Sequence, residues 1–146
     1  MAREVVQLIG MRELERALGE LPKATRRRTA LNALRKGAEP LAKAARALAP
    51  TDKGNLKEGI KVSATLARSQ RGYKGSIADV EMYVGPGQHP QAITQEFGTF
   101  KEPAQPYMRP AWSLTRYSVL DLIGAHLGIE IEKTAARERR KAERGR

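Results

Sequence analysis

The sequence predicts an α+β fold in which a small antiparallel sheet packs against a long, kinked N-terminal helix and a C-terminal helix. Three observations carry this. Apolar residues recur at helical spacing through residues 11–49, they alternate with polar residues at a period of two over 60–67, and helical spacing resumes after Pro110.

Val5 to Ile9 is short, β-branched and closed by Gly10, and so reads as an initial strand. Met11, Leu14, Ala17, Leu18 and Leu21 then fall on one helical face, with charged residues elsewhere. Pro22 opens the next helix, because an amide donor in the first turn has no intrahelical partner to lose. Its apolar stripe is Ala30, Leu31, Leu34, Ala38, Leu41, Ala45 and Leu48. Pro40 lies inside that stripe and removes a backbone hydrogen bond at a cost of about 3 kcal/mol unless packing offsets it, so a kink is expected near Gly37. Alanines on both sides favour helix and let another backbone approach closely.

Thr51 to Asn55 is a turn cluster, and Leu56 to Gly59 is read as a single helical turn. Over Ile60 to Ala67, Ile60, Val62, Ala64 and Leu66 alternate with Lys61, Ser63, Thr65 and Ala67, the pattern of a half-buried strand. Arg68 to Ser76 is a polar, glycine-containing hairpin connection, and Ile77 to Val84 returns as a second strand broken at Gly85-Pro86-Gly87. Gln88 to Pro110 is proline-punctuated. A last helix is expected from Ala111 to Leu127, with Trp112, Leu114 or Thr115, Val119, Leu122, Ile123 and Leu127 inward and Gly128 as an interruption point. Past Lys133 no apolar stripe remains, so residues 1–132 are expected to form a single domain and 133–146 a flexible basic tail.

Composition narrows the function classes. The chain has 146 residues, enough for one domain, and no stretch has the roughly 18 consecutive apolar residues that a membrane span needs. Met1-Ala2-Arg3-Glu4 lacks the basic-then-apolar layout of a signal peptide, so synthesis and residence in a cytoplasm are expected. The absence of cysteine excludes disulfides, thiolate metal sites and a cysteine nucleophile, and only His89 and His126 supply imidazoles. No nucleophile elbow or Walker loop is present. His89 and Glu96 alone do not make a metal site or an acid–base machine, so neither an enzyme nor a cofactor is expected.

The net charge of +11 is concentrated in two places: residues 22–49 hold +7 and residues 133–146 hold +5. Such a field attracts phosphate or an acidic protein surface. Arg26, Arg27, Arg28, Arg35, Lys36, Lys43 and Arg46 are the candidate contacts, against the plain alternative of a solvated helix face. Phe97, Phe100, Tyr107 and Trp112 cluster away from these cations, which argues against a single-strand reader with stacked rings beside its charges.

Glu96-Phe97-Gly98-Thr99 is the more informative segment. Glycine after a bulky aromatic points to a positive φ or a close packing contact. Glu96 is suited to capping neighbouring amides or to pairing with a cation.

Taken in order, Leu14 to Lys23, Ala33 to Leu41, Ala44 to Pro50, Gly54-Asn55-Leu56 with Ile60, Val84-Gly85-Pro86, Glu96-Phe97-Gly98-Thr99 and Gln105-Pro106-Tyr107-Met108-Arg109-Pro110-Ala111 resemble the small neck proteins of long-tailed bacteriophages, the head-tail joining, tail-completion or minor tail components. The resemblance covers about 100 residues in sequence order. It implies a non-enzymatic virion component that assembles as a homo-oligomeric ring at the head-tail junction, with neighbouring neck and tail proteins as partners and DNA passing through. Thr94 and Gln95 stand where the family is often aromatic or aliphatic, and the basic tail has no family counterpart.

Under this reading Glu96, Phe97, Gly98, Thr99, Lys101, Gln105, Pro106, Tyr107 and Arg109 are the subunit or ring interface. Phe97, Phe100, Tyr107 and Met108 are expected to turn toward the helices of their own subunit, and Glu96, Thr99 and Lys101 toward a neighbour. The competing reading is a small basic nucleic-acid-binding protein that contacts the phosphate backbone. It explains the charge and leaves the 96–110 segment without a role.

Overall fold

The computed structural model describes residues 10–51, 55–73 and 78–145. The strand expected at Val5 to Ile9 and much of the 51–55 turn lie outside them. Element order is α1 (Met11–Gly19), α2 (Lys23–Leu48), α3 (Asn55–Gly59), β1 (Lys61–Ser63), a 3₁₀ helix (Arg68–Tyr73), β2 (Tyr83–Gly85), α4 (Ala92–Phe97) and α5 (Met108–Arg144).

Two long helices dominate. α2 starts directly after Pro22 and runs unbroken through Pro40. α5, at 37 residues, extends to Arg144 and is about 55 Å long. They pair antiparallel: Thr29 meets Thr134 with 3.0 Å between hydroxyls, Lys36 meets Glu130 at 2.7 Å, and Gly37 lies on Ile123. The side of α2 that is buried consists of Thr29, Ala33, Gly37, Ala38, Leu41, Ala42 and Ala45, smaller residues than the expected stripe. Leu31 and Leu34 are half-buried and Leu48 is exposed.

Small side chains let the axes approach, closely enough at Gly37 to leave no space for a side chain. A Cβ there would overlap Cγ1 of Ile123 and come within 2.9 Å of its backbone nitrogen. Dispersion attraction between helices packed this closely opposes the local cost of Pro40.

The last helix continues seventeen residues beyond the expected Leu127, through Gly128, for two physical reasons. Residues 133–144 are rich in Ala, Arg, Glu and Lys, all strong helix formers, and the start of α2 lies alongside through Thr29 and Thr134. Leu14 of α1 lies over Gly128, 3.6 Å from where a Cβ would stand, an ordinary contact distance. Inward positions of α5 are Ala111, Val119, Ile131 and Thr134; Trp112, expected inward, is exposed, and of the alternatives Leu114 and Thr115 it is Thr115 that is half-buried while Leu114 is exposed.

The sheet is smaller than the alternation suggested. β1 and β2 pair antiparallel over three residues each, Lys61 with Gly85, Val62 with Val84 and Ser63 with Tyr83. Residues 64–67 leave the ladder, and within the connection between the two strands 68–73 wind into a 3₁₀ helix. Arg46 holds the entry to β1 by donating its Nε–H to the Ile60 carbonyl at 2.9 Å. The main apolar cluster gathers Leu41, Ala45, Leu56, Ile60, Tyr107 and Val119. It thus sits where the C-terminal half of α2 faces the start of α5.

Candidate functional site

At that end of the helix pair the chain between β2 and α5 folds back on itself. The proline-punctuated segment, for which no helix was expected, contains α4, a helix of six residues that buries Ala92 and Glu96. Glu96 and Phe97 are reversed relative to expectation. Glu96 is only 5% exposed, while Phe97 is 62% and Phe100 94% exposed.

A buried carboxylate needs donors, and the beginning of α5 supplies them. Oε2 of Glu96 accepts the backbone N–H groups of Tyr107 at 2.8 Å and Met108 at 2.9 Å, and Oε1 accepts that of Arg109 at 3.0 Å. The first four N–H positions of a helix lack intrahelical acceptors. Here three are satisfied by one side chain from another element, and the fourth is Pro110, which has no N–H. Tyr107 contributes no side-chain cap of its own, so the capping is entirely remote.

Arg109 completes the arrangement. Its Nε donates to Oε1 of Glu96 at 2.9 Å and a terminal nitrogen donates to the Glu96 carbonyl at 2.8 Å. The guanidinium also lies 4.6 Å from the centre of the Phe97 ring, so the exposed aromatic is held by a cation at its face. Burial by itself pushes the Glu96 carboxyl up. The three backbone donors and Arg109 outweigh it and hold the group below its ordinary value of 4.5. Burial, followed by the nearby Glu96 charge, pushes the Tyr107 phenol up to about 12. That phenol donates to the Ala92 carbonyl at 3.0 Å, fixing the start of α4.

The turn between α4 and α5 is braced as well. Gly98 has φ 75° and ψ 176°, a region open essentially only to glycine. A Cβ on it would also come within 2.7 Å of the Ala104 nitrogen. Both reasons anticipated for a glycine at this place hold together. The Thr99 N–H donates to the Glu102 carbonyl at 2.9 Å, the Thr99 hydroxyl accepts from Lys101 and Glu102, and the Gln105 N–H donates to the Gln95 carbonyl at 2.7 Å. From this base Phe97, Phe100, Thr99, Lys101, Gln105 and Pro106 project to solvent, with Ile93 beside them on α4.

Of the interface candidates, then, Glu96, Tyr107 and Gly98 form the brace, Arg109 spans brace and surface, and the others are surface. Capping by Glu96 was legible as an option in the sequence. The Tyr107 bond to Ala92 and the outward Ile93 carried no signal.

The cation candidates divide similarly. Arg26 donates to the Gly19 and Leu21 carbonyls at 2.7 and 3.1 Å, closing the end of α1, Lys36 is bound to Glu130, and Arg46 holds Ile60. Arg27, Arg28, Arg35 and Lys43 are exposed. Hydrogen bonding from Lys36 and its charge hold Glu130 below 4.5 against the opposing effect of burial. His89 accepts a local bond from the Gln91 N–H at 3.3 Å. Among the described residues no group of three or more His, Cys, Asp or Glu side chains converges as a metal site, and no helix is long and apolar enough to cross a membrane.

Residues 12–98, from α1 to the end of α4, match the family model HK97-gp10-like, described as "Bacteriophage HK97-gp10, putative tail-component". Comparisons with curated proteins and with solved structures returned no match.

Proposed function

The chain belongs to the HK97-gp10-like family of bacteriophage tail components, and from that premise we propose that it acts as a ring-forming structural protein at the head-tail junction, joining or completing the tail during virion assembly. The observation that carries this reading is the braced turn, which offers Phe97 and Phe100 to solvent from a base fixed by Glu96, Gly98 and Tyr107. Large rings presented on rigid backbone suit docking, because little conformational entropy is lost when a neighbour covers them. Head-to-tail contacts of this sort close into a ring when the rotation between neighbours divides a full turn. Phe97, Phe100, Thr99, Lys101, Gln105 and Pro106 form the contact surface in this reading; the body expected to end at residue 132 continues through Thr134, which packs on Thr29, and the rest of the basic segment extends from it. The protein's role is mechanical, with no catalysed reaction.

The test is complementation of a phage lacking this gene with a Phe97→Ser/Phe100→Ser variant. Both side chains are exposed and Phe97 gives up only its surface contact with Arg109, worth about 0.5–1 kcal/mol, so circular dichroism of the variant should match the parent and thermal unfolding should shift only slightly. Infectivity should fall by orders of magnitude, with electron micrographs showing filled heads and unattached or unfinished tails. Normal plaque numbers from a variant present at parental levels would refute the assignment.

A further inference from the structure

The two basic runs lie about a hundred residues apart in the chain, yet the antiparallel pairing of α2 and α5 brings them to one end of the molecule. Thr29 faces Thr134, so the first turns of α2, with Lys23, Arg26, Arg27 and Arg28, lie alongside the last turns of α5. On α5, Lys133, Arg137, Arg140, Lys141 and Arg144 share one helical face and line a trough of about 390 Å³. Glu130, bound to Lys36 at 2.7 Å and 3.7 Å from Lys133, links that flank to α2. Residues 23–28 and 133–144 together hold ten Lys or Arg against Glu138 and Glu143. Of these cations, Arg27, Arg28, Arg137, Arg140 and Arg144 have neither an ion-pair partner nor a side-chain hydrogen bond among the described residues.

We propose that this end is a docking surface for the phosphate backbone of duplex nucleic acid, bound without reading of base sequence. Charge supplies the attraction, and what is missing from the surface selects the partner. Among the described residues the exposed large apolar side chains are Leu48, Ile93, Phe97, Phe100, Trp112, Leu114, Tyr117 and Ile129, none of them within 23–28 or 133–144. An acidic protein partner would want buried aromatic or aliphatic anchors, and a single strand would want stacking rings. A duplex backbone needs neither, only cations spaced along it. The basic face of α5 runs about 16 Å, a length over which a duplex carries roughly nine phosphate charges.

The test is fluorescence anisotropy of the full chain with a labelled duplex of about 30 base pairs and mixed sequence. Contact with about five phosphates predicts that affinity falls about 500-fold between roughly 50 and 200 mM salt. Arg137→Glu/Arg140→Glu/Arg144→Glu should weaken binding at least about 30-fold and flatten the logarithmic salt slope by about 3. Arg27→Glu/Arg28→Glu should do so to a smaller extent, and reads the same surface should the triple variant misfold. Lys61→Glu/Arg68→Glu/Arg71→Glu makes the same change in net charge at exposed positions of the sheet end and should weaken binding less than about threefold.

No binding at low salt, equal weakening by the sheet-end variant, tighter binding of an equal length of single strand, or displacement of duplex by poly-glutamate at matched charge would each overturn the proposal. It stands apart from the ring assignment: DNA binding by a protein whose Phe97/Phe100 variant still supports infection would sink that assignment alone.

Discussion

Removing the Glu96 carboxylate is the most direct probe of how the braced turn is held. In Glu96→Ala, the N–H groups of Tyr107, Met108 and Arg109 lose acceptors at 2.8, 2.9 and 3.0 Å, and the Arg109 Nε loses one at 2.9 Å. Each unsatisfied buried donor costs about 1–3 kcal/mol. Arg109 is more than half exposed and can turn to water, and water can reach part of the helix end, so the sum is smaller than four full penalties. A loss of about 3 kcal/mol is expected, a large share of the roughly 5–15 kcal/mol that holds a domain together. Glu96→Gln keeps one acceptor oxygen and should lose about half as much.

Urea unfolding followed by circular dichroism measures both values, and amide hydrogen exchange at residues 107–109 localises them. The pH dependence gives a second reading with a definite sign. Because the folded-state value of Glu96 is lowered, its contribution is fully present above the unfolded value near 4.5 and is lost as pH falls through the folded value. The gap between parent and Glu96→Gln should therefore be constant at neutral pH and shrink in acid below 4.5. A Glu96→Ala protein destabilised by less than about 1 kcal/mol, or a gap that widens in acid, would refute the capping argument.

Two further outcomes follow from the glycines. Gly37→Ala gains about 1 kcal/mol in helix propensity, yet its new methyl group meets Ile123; a net loss of about 1–3 kcal/mol is expected in thermal unfolding, and a stabilised variant would show that the helices separate freely. Gly98→Val forces a β-branched residue to φ 75° with Ala104 in its path; a loss of about 3 kcal/mol and failure to assemble are expected, and a protein that supported normal infection would remove the turn from the mechanism.

Much of the helical frame was legible because it obeys one period. A helix within Met11 to Leu21, ending at Gly19, and the start of the next after Pro22 follow from spacing and proline chemistry, and the single turn at Asn55–Gly59, expected from Leu56, follows from the turn cluster before it. The strands were overextended because alternation records which way side chains point, whereas a ladder needs a partner, and β1 and β2 offer each other only three residues. α4 was hidden because six residues are too few to show a period, and because the rule that Phe goes in and Glu goes out fails there. The amides of α5 lie eleven to thirteen residues away in sequence and reward a buried carboxylate more than a buried ring. Pro110 was the available clue, since a proline at the third helical position leaves three donors for a cap to satisfy. The extent of α5 escaped for a different reason: residues after Lys133 have no apolar stripe, and Thr29 and Thr134 meet through a polar contact that hydropathy does not register.

Antiparallel pairing of two helices this long leaves the molecule chemically two-headed, rings and a stiff turn near Arg109, guanidinium groups near Arg144, separated by about 50 Å of helix. Copies related by a single rotation axis all point the same way. Were the chain to assemble cyclically as proposed, the assembly would therefore have two unlike faces or two unlike rims, and a partner stacked on it would meet different chemistry from each side.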